Sequence, residues 1–435
     1  MDAAELDRRF RMHDGWVPPL VARALIEHGH HDGVRREAAS GDYFCARALA
    51  DDLDARDDRD GAIEVLRPFA DTGWWEPISR TAALLAGHGD TDAAIAVLRP
   101  QADAGARLAV SRLAELLAGQ GRLDEAIALL TPGLAGEWLY AEALVSITAG
   151  QGRDDEVVDL LRPLAEPPHG PDCRCDGEAE RRLATVLERR GSAGEAIELL
   201  ASSYRRGDIF RVNHIELLSE FLARHDPDRL RAFADNGGGE YAAERLAQLL
   251  ADLDRVDEAI EVLRPHPPWY LADLLIQLGR VGEAIEVLRP AALDDPECYL
   301  PEVRRLMLEQ GRAGELLTFM DEFRGDAYFE LLTVRADALV ALGRVGEAVE
   351  VLRAGSEADS WYVRCRVAGI LAEDGQVAEA VRELWPYRGA VPEAHDLARL
   401  LVVQGRVEEA FEVVRGLSLA PPMVPDGPPT DEPPF

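Results

Sequence analysis

The chain has 435 residues, with 80 acidic side chains against 47 basic ones and a formal net charge of −33. Every basic residue other than histidine is arginine; without lysine, Schiff-base catalysis, a P-loop and a lysine general base are excluded. The acidity argues against nucleic acid and anionic membrane as partners, since phosphate contacts need clustered cations, and it reads first as solvated helix faces.

Residues 1–17 predict an N-terminal lead-in helix centred on 2–12. His28, His30, His31 and Asp32 come next. Five residues resemble the His-x-His-x-Asp core of metallo-β-lactamase-like hydrolases, but Gly33 replaces the sixth-position His and no strand precedes the cluster. It reads as a polar turn between two helices, with incidental zinc or nickel affinity at most.

From residue 18 a phrase recurs: a Gly-Arg turn, then Glu-Ala-Ile-Glu-Val-Leu-Arg-Pro, complete at Gly279–Pro290. With the Ala as marker, copies fall at Ala62, Ala94, Ala126, Val157, Ala196, Leu230, Ala259, Ala284, Leu316, Ala348, Ala380 and Ala410, with a cryptic one at Val34. The commonest step is 32 residues, found in five of the eleven from Ala62 to Ala410. A fixed period of this size predicts stacked units that carry function on a long surface rather than in a pocket.

Each unit reads as two helices. In RLAVSRLAELLAGQ, Leu108, Leu113, Leu116 and Leu117 form an apolar face and Gly121 ends the helix. Asp124 is expected to cap the second helix, whose buried stripe is Ala126, Ile127, Leu129 and Leu130. Small residues recur in the first helix (Ala22, Ala50, Ala82, Ala114, Ala184, Ala247, Ala272, Ala336, Ala368, Ala398), where close helix approach requires them. The Arg-Pro after each second helix should shorten or kink it.

Two places break the pattern. Residues 166–177 form a Pro- and Gly-rich loop insert, in which His169, Cys173 and Cys175 fall short of a four-ligand zinc site. Residues 226–240, with Gly237-Gly238-Gly239, form an irregular unit that is either a hinge or a slack turn. Repeats 18–225 and 241–417 flank it, and the Pro-rich tail 418–435 is expected to be disordered or extended. No polar capping helix follows Arg415, so the last unit is expected to be exposed, or covered by the tail or a partner.

Aromatics recur where first helices begin: Tyr43-Phe44, Trp74-Trp75, Trp138 with Tyr140, Tyr241, Trp269-Tyr270, Tyr299, Tyr328-Phe329 and Trp361-Tyr362. Packing between units is the first expectation and a binding surface the second.

The first-helix Ala, the Gly turn, the following Ala and a large residue four positions on (Leu130, Leu263, Leu288, Leu352) resemble the tetratricopeptide repeat family over residues 18–416. The period is shorter than that family's 34 and the proline comes early; Sel1-like repeats are a neighbouring alternative. The resemblance implies an all-α, right-handed α-solenoid of about thirteen helix-turn-helix repeats. It also implies a concave face lined by first helices, which places Tyr241, Glu244, Gln248, Trp269, Tyr270, Asp273, Arg305, Asp337, Tyr362, Arg366 and Arg399 as partner-binding candidates. The family's Asn and Lys clamp for a C-terminal carboxylate is missing, which disfavours acidic peptide tails.

No Ser-His-Asp spacing, phosphate loop or distinct carboxylate pair is evident, so no catalytic residue, metal or cofactor is assigned. The leading expectation is a non-enzymatic scaffold for a protein or peptide with basic or aromatic segments. The alternatives are a sensor whose solenoid changes pitch on binding a small molecule or signalling peptide, and a self-assembling structural protein. Scattered cysteines, no apolar leader and no membrane-length apolar run suggest the cytoplasm.

Overall fold

The computed structural model describes residues 2–12, 15–165, 178–206, 211–323, 329–355 and 358–417. The expected insert at 166–177 and tail at 418–435 lie outside them, as do Cys173, Cys175 and Tyr328.

The described residues hold 27 α-helices, two 3-10 turns and no strand. The first helix, α1 (Ala3–Met12), stands alone, and the remaining helices form thirteen pairs. The early pairs are α2 (Pro19–Glu27) with α3 (His31–Ala39), α4 (Tyr43–Ala55) with α5 (Arg59–Ala70), α6 (Trp75–Gly87) with α7 (Thr91–Asp103), and α8 (Arg107–Gly119) with α9 (Leu123–Leu130). Next come α10 (Trp138–Ile147) with α11 (Asp154–Ala165), α12 (Glu178–Arg189) with α13 (Ala193–Arg206), α14 (Arg211–His225) with α15 (Pro227–Asp235), and α16 (Gly239–Asp252) with α17 (Val256–Leu263). The last five are α18 (Pro268–Gln277) with α19 (Val281–Asp294), α20 (Pro296–Glu309) with α21 (Ala313–Met320), α22 (Phe329–Ala341) with α23 (Val345–Arg353), α24 (Trp361–Glu373) with α25 (Val377–Leu384), and α26 (Val391–Val403) with α27 (Val407–Arg415). The fold is all-α, a run of α-solenoid repeats. No helix among the described residues is long and apolar enough to cross a membrane.

The repeated small residues make this packing feasible. Every marker from Val34 to Ala410, including the larger Val157, Leu230 and Leu316, is fully buried. So are the first-helix alanines, from Ala22 to Ala398. A helix pair closes only where side chains are short enough for ridges to enter grooves.

The Gly-Arg turn ends one helix and starts the next. Gly279 takes φ 74°, its N–H bonds to the Ile276 carbonyl, and the Arg280 N–H bonds back to Leu275. This is a Schellman-type stop. Asp57 (φ 64°) and Asp254 (φ 60°) hold the same left-handed place without glycine.

Arg280 is then the N-cap of α19, and its guanidinium closes on Glu283 three residues on, with Nε to Oε1 at 2.7 Å. The same clasp joins Arg255 to Glu258, Arg312 to Glu315, Arg344 to Glu347 and Arg406 to Glu409. The arginine hydrogen bond holds each of these glutamates below the usual carboxylate range. A negative charge in the first helical turn also suits the dipole.

Three sequence expectations need correction. Asp124 does not cap α9: the N-cap is Arg122, and Asp124 instead accepts from Arg153 Nη1 at 2.6 Å. Capping by aspartate does occur at Asp58, Asp90 and Asp42, each one residue ahead of its helix. Leu108 lies outside the apolar face, 53 % exposed, because the buried stripe of α8 starts at Ala109.

The third correction concerns proline. Helices α5, α7, α11 and α19 run on through Pro68, Pro100, Pro163 and Pro290. Only one N–H is lost, close to the helix end, and Phe69, Ala102, Ala165 and Ala292 just beyond are buried, which draws the last turn inward. Where the residue two beyond is Pro267 or the exposed Arg388, α17 and α25 stop at Leu263 and Leu384 as expected.

Two compact units divide the chain: Met1–Pro77 together with Asp326–Phe435, and Ile78–Gly325. In the first unit, the first and last repeats pack together. Helix α2 lies against α26 as α24 does, and on its other side against α4. The Phe411 ring of α27 sits against Gly33 of α3, 3.3 Å from where a Cβ would be. Arg36 pairs with Glu408 at 3.0 Å and Arg415 with Glu37 at 2.5 Å. The last repeat is therefore not the exposed end that the missing cap suggested; the first repeat covers it. Leu397, Leu401 and Phe411 are buried as a result of packing on both sides.

In the second unit, residues 227–235 form α15, packed on α14 and α16. The three glycines make a turn that is filled at Gly238. Gly237 and Gly239 have φ of 121° and 62°, and Tyr204 donates to the Gly237 carbonyl at 2.9 Å. A Cβ on Gly238 would fall 2.5 Å from that of Ala242.

Candidate binding surface

The structure divides the sequence-derived candidates between the two units. Tyr241, Glu244, Gln248, Trp269, Tyr270, Asp273 and Arg305 belong to the second; Asp337, Tyr362, Arg366 and Arg399 belong to the first.

In the second unit the candidates stand on consecutive first helices, α16, α18 and α20, and make one strip. Tyr241 and Tyr270 meet edge to face at 6.5 Å. Trp269 stacks on Tyr299 with centroids 5.6 Å apart and an interplanar angle of 23°. Trp269 still leaves 40 % of its surface open, so the ring is held in place and remains available to a ligand.

Carboxylates run beside these rings, one per repeat. Burial pushes Glu244 above the usual carboxylate range, with Asp273 and Glu216 adding to the rise against the pull of Arg245. Burial likewise raises Asp273, with Glu302 adding and Arg305 opposing. Arg305 is itself held by Glu302 and by Glu309 at 2.9 Å. Gln248 donates to Asp252 at 3.2 Å. The strip therefore pairs open aromatic faces with negative charge that burial and like-charged neighbours destabilise. A cation laid along it would relieve that strain.

The first-unit candidates are more internally paired. Arg366 bonds to Asp337, which is buried, and Arg399 lies 3.6 Å from Asp396. Tyr362 packs edge-on to Trp361 at 5.6 Å. Arg364, which sequence reasoning passed over, pairs with the buried Glu393 at 2.5 Å and lies 3.8 Å over the Tyr387 ring. Nothing in the repeat pattern marks it, because its ion-pair partner Glu393 comes from the following repeat.

Sequence reading also missed a groove of about 470 Å³ on the first two repeats. Phe10, Pro19, Leu20, Ile26, Phe44 and Ala48 form its apolar lining, and Arg23, Arg47, Asp51 and Asp52 its polar part. Arg23 and Asp51 follow the first-helix alanines Ala22 and Ala50 by one residue, as Gln248 and Asp273 follow Ala247 and Ala272. The repeat alignment held the signal that would have placed the groove on this face.

The aromatic pairs split. Tyr43, Phe44, Trp74 and Tyr140 are buried, whereas Trp138, Trp269 and Trp361 are open to solvent. Phe10 of α1 closes the N-terminal cluster against Tyr43, Phe44 and Trp74. The histidine turn is part of the stacking: His31 Nε2 lies 3.2 Å from Asp52 of the next repeat and 2.6 Å from Arg56. Among the described residues no cluster of three His, Cys, Asp or Glu side chains is placed to hold a metal.

No family model matches the chain, and no curated protein matches it. Among solved structures it is similar to a Naa15/Naa10 complex bound to HypK-THB, at 14 % identity over 91 % of this chain and 73 % of that one, with a TM-score of 0.38. It is also similar to the pentatricopeptide repeat protein PPR10 from maize, at 14 % identity over 94 % and 75 %, with a TM-score of 0.28. Neither likeness carries an argument about function.

Proposed function

We propose that this TPR-like chain is a non-enzymatic interaction scaffold that holds a basic peptide segment on its first-helix face. The observation that carries this reading is the strip on α16, α18 and α20. Trp269, stacked on Tyr299, supplies an open ring, and Glu244 and Asp273 supply anions lifted in pKa by burial and by neighbouring carboxylates. Arginine and lysine side chains suit both, through cation–π contact and charge-assisted hydrogen bonds. A protein or peptide partner with such residues is the class intended. A cytoplasmic location goes with this reading, and Cys45, Cys298 and Cys365 are free thiols.

Fluorescence anisotropy with a labelled Arg/Lys-rich peptide tests it. Binding should weaken about tenfold, roughly 1.4 kcal/mol, in Glu244→Gln/Asp273→Asn and in Trp269→Ala. An acidic peptide of the same length should not compete. Equal affinity for the two peptides, or indifference to all three substitutions, would sink the reading.

A further inference from the structure

We propose that the groove on the first two repeats is the docking site of the chain's own C-terminal segment, around Pro421–Pro425. The groove lies in the first unit and the inference does not depend on the strip.

The first argument is where the chain leaves the described structure. In consecutive repeats a second helix is followed after a few residues by the next first helix; α7 ends at Asp103 and α8 starts at Arg107. Helix α27 ends at Arg415, and the place of the next repeat is taken by α2 and α3. The chain therefore emerges after Leu417 beside the repeat whose first helix begins at Pro19 and Leu20, the residues that line the groove.

Second, the chemistry matches. Residues 418–435 contain seven prolines, and Pro422-Met423-Val424-Pro425 has the spacing of a polyproline II ligand. Such segments dock in aromatic-lined grooves because their backbone is pre-extended and little entropy is lost. Phe10 supplies a part-open ring beside the buried Phe44, and Leu20 is an apolar side chain 60 % exposed. Residues 418–435 carry Asp426, Asp431 and Glu432 and no basic residue, while Arg23 and Arg47 stand on the groove with Asp51 and Asp52, Arg47 being paired with Glu76 at 3.1 Å. Arg23 meets its helical neighbour Glu27 at 3.3 Å.

Third, the reach suffices. At about 3.1 Å per residue in polyproline II, the eight residues 418–425 span roughly 25 Å, against about 10 Å for one helix diameter.

The test uses the full chain with a benzoyl-phenylalanine photo-crosslinker in place of Met423. Irradiation should give crosslinks mapping to residues 10–52 at the mass of a single chain. The exposed-site variant Leu20→Glu/Arg23→Glu should lower their yield at least fivefold, with unchanged helicity and melting. Val391→Glu, an exposed substitution elsewhere, should leave it unchanged. Should the double variant unfold, excess synthetic 418–430 peptide added to the original chain must lower the yield instead. Crosslinks that are absent, that map elsewhere, that resist both the variant and the peptide, or that appear only at twice the chain mass would overturn the proposal.

Discussion

Arg415 at the end of α27 meets Glu37 of α3 at 2.5 Å, across 378 positions of sequence. It does so in the register of an ordinary repeat contact. Arg353 lies five residues after its marker Ala348 and pairs at 2.5 Å with Glu383, three after the next marker, Ala380. Arg415 lies five after Ala410, and Glu37 three after Val34. The last repeat treats the first as its successor. Head-to-tail assembly through a bare last repeat is thereby disfavoured, since that surface is already covered.

Phe411→Ala should cost roughly 3–5 kcal/mol, as expected for a buried aromatic. Hydrogen exchange should then speed up in α2 and α3 together with α26 and α27. Acceleration in α26 and α27 alone would mean that the ends do not support each other. The ion pair itself contributes less: a double-mutant cycle on Arg415 and Glu37 should give about 0.5–1 kcal/mol, falling with salt.

Ala284 is fully buried where α19 meets its neighbours, and Ala128 points to solvent on α9. Ala284→Leu should destabilise by about 1–3 kcal/mol through overpacking. Ala128→Leu should change stability by less than about 0.5 kcal/mol. Urea midpoints for the two variants decide the matter; similar shifts would contradict the assigned packing.

The turns offer a pair of opposite effects. Asp254 takes a left-handed φ that costs a non-glycine residue about 1 kcal/mol, so Asp254→Gly should stabilise by up to that amount. Gly238 has no room for a methyl group against Ala242 and Phe233, and Gly238→Ala should destabilise by about 1–3 kcal/mol. Thermal melts of both variants read out the signs. A neutral Gly238→Ala would restore the slack-turn reading of 237–239.

Asp42 caps α4, accepting from the Cys45 N–H at 2.9 Å and the Val17 N–H at 2.5 Å. Burial nonetheless pushes its pKa up to about 6, against those hydrogen bonds. The folded chain thus binds a proton between about pH 4 and 6 that the unfolded chain has released. Linkage then makes stability fall as pH rises through that window, by roughly 2–3 kcal/mol from this group, and level off above it. Asn also caps helices, so Asp42→Asn should flatten this part of the pH–stability curve. An unchanged slope would show that Asp42 titrates normally.

Much of the fold was legible because the repeat is a packing rule written in residue size. Ala284, Ala348 and even the divergent Val34 and Leu230 mark buried places, and Gly279 marks a left-handed turn that few other residues enter. That the second-unit candidates share one face was legible for a related reason: Glu244 and Trp269 stand three residues before Ala247 and Ala272, and Gln248 and Asp273 one residue after them, so neighbouring repeats bring them into one strip. Asp124 and Arg364 were not legible, since each has its partner in the next repeat, and local propensity carries no information about that distance.

Sequence alone determined the helix pairs, their period and the small residues on which they close, because these depend on contacts within one repeat and with its neighbour in the chain. Only the tertiary structure decided which aromatics face solvent, that helices run through Pro68 and Pro290, and that Arg415 finds Glu37. Those outcomes depend on what lies beyond the repeat: a buried Phe69 or Ala292 to pull in the last turn, and a first repeat standing where a fourteenth would be.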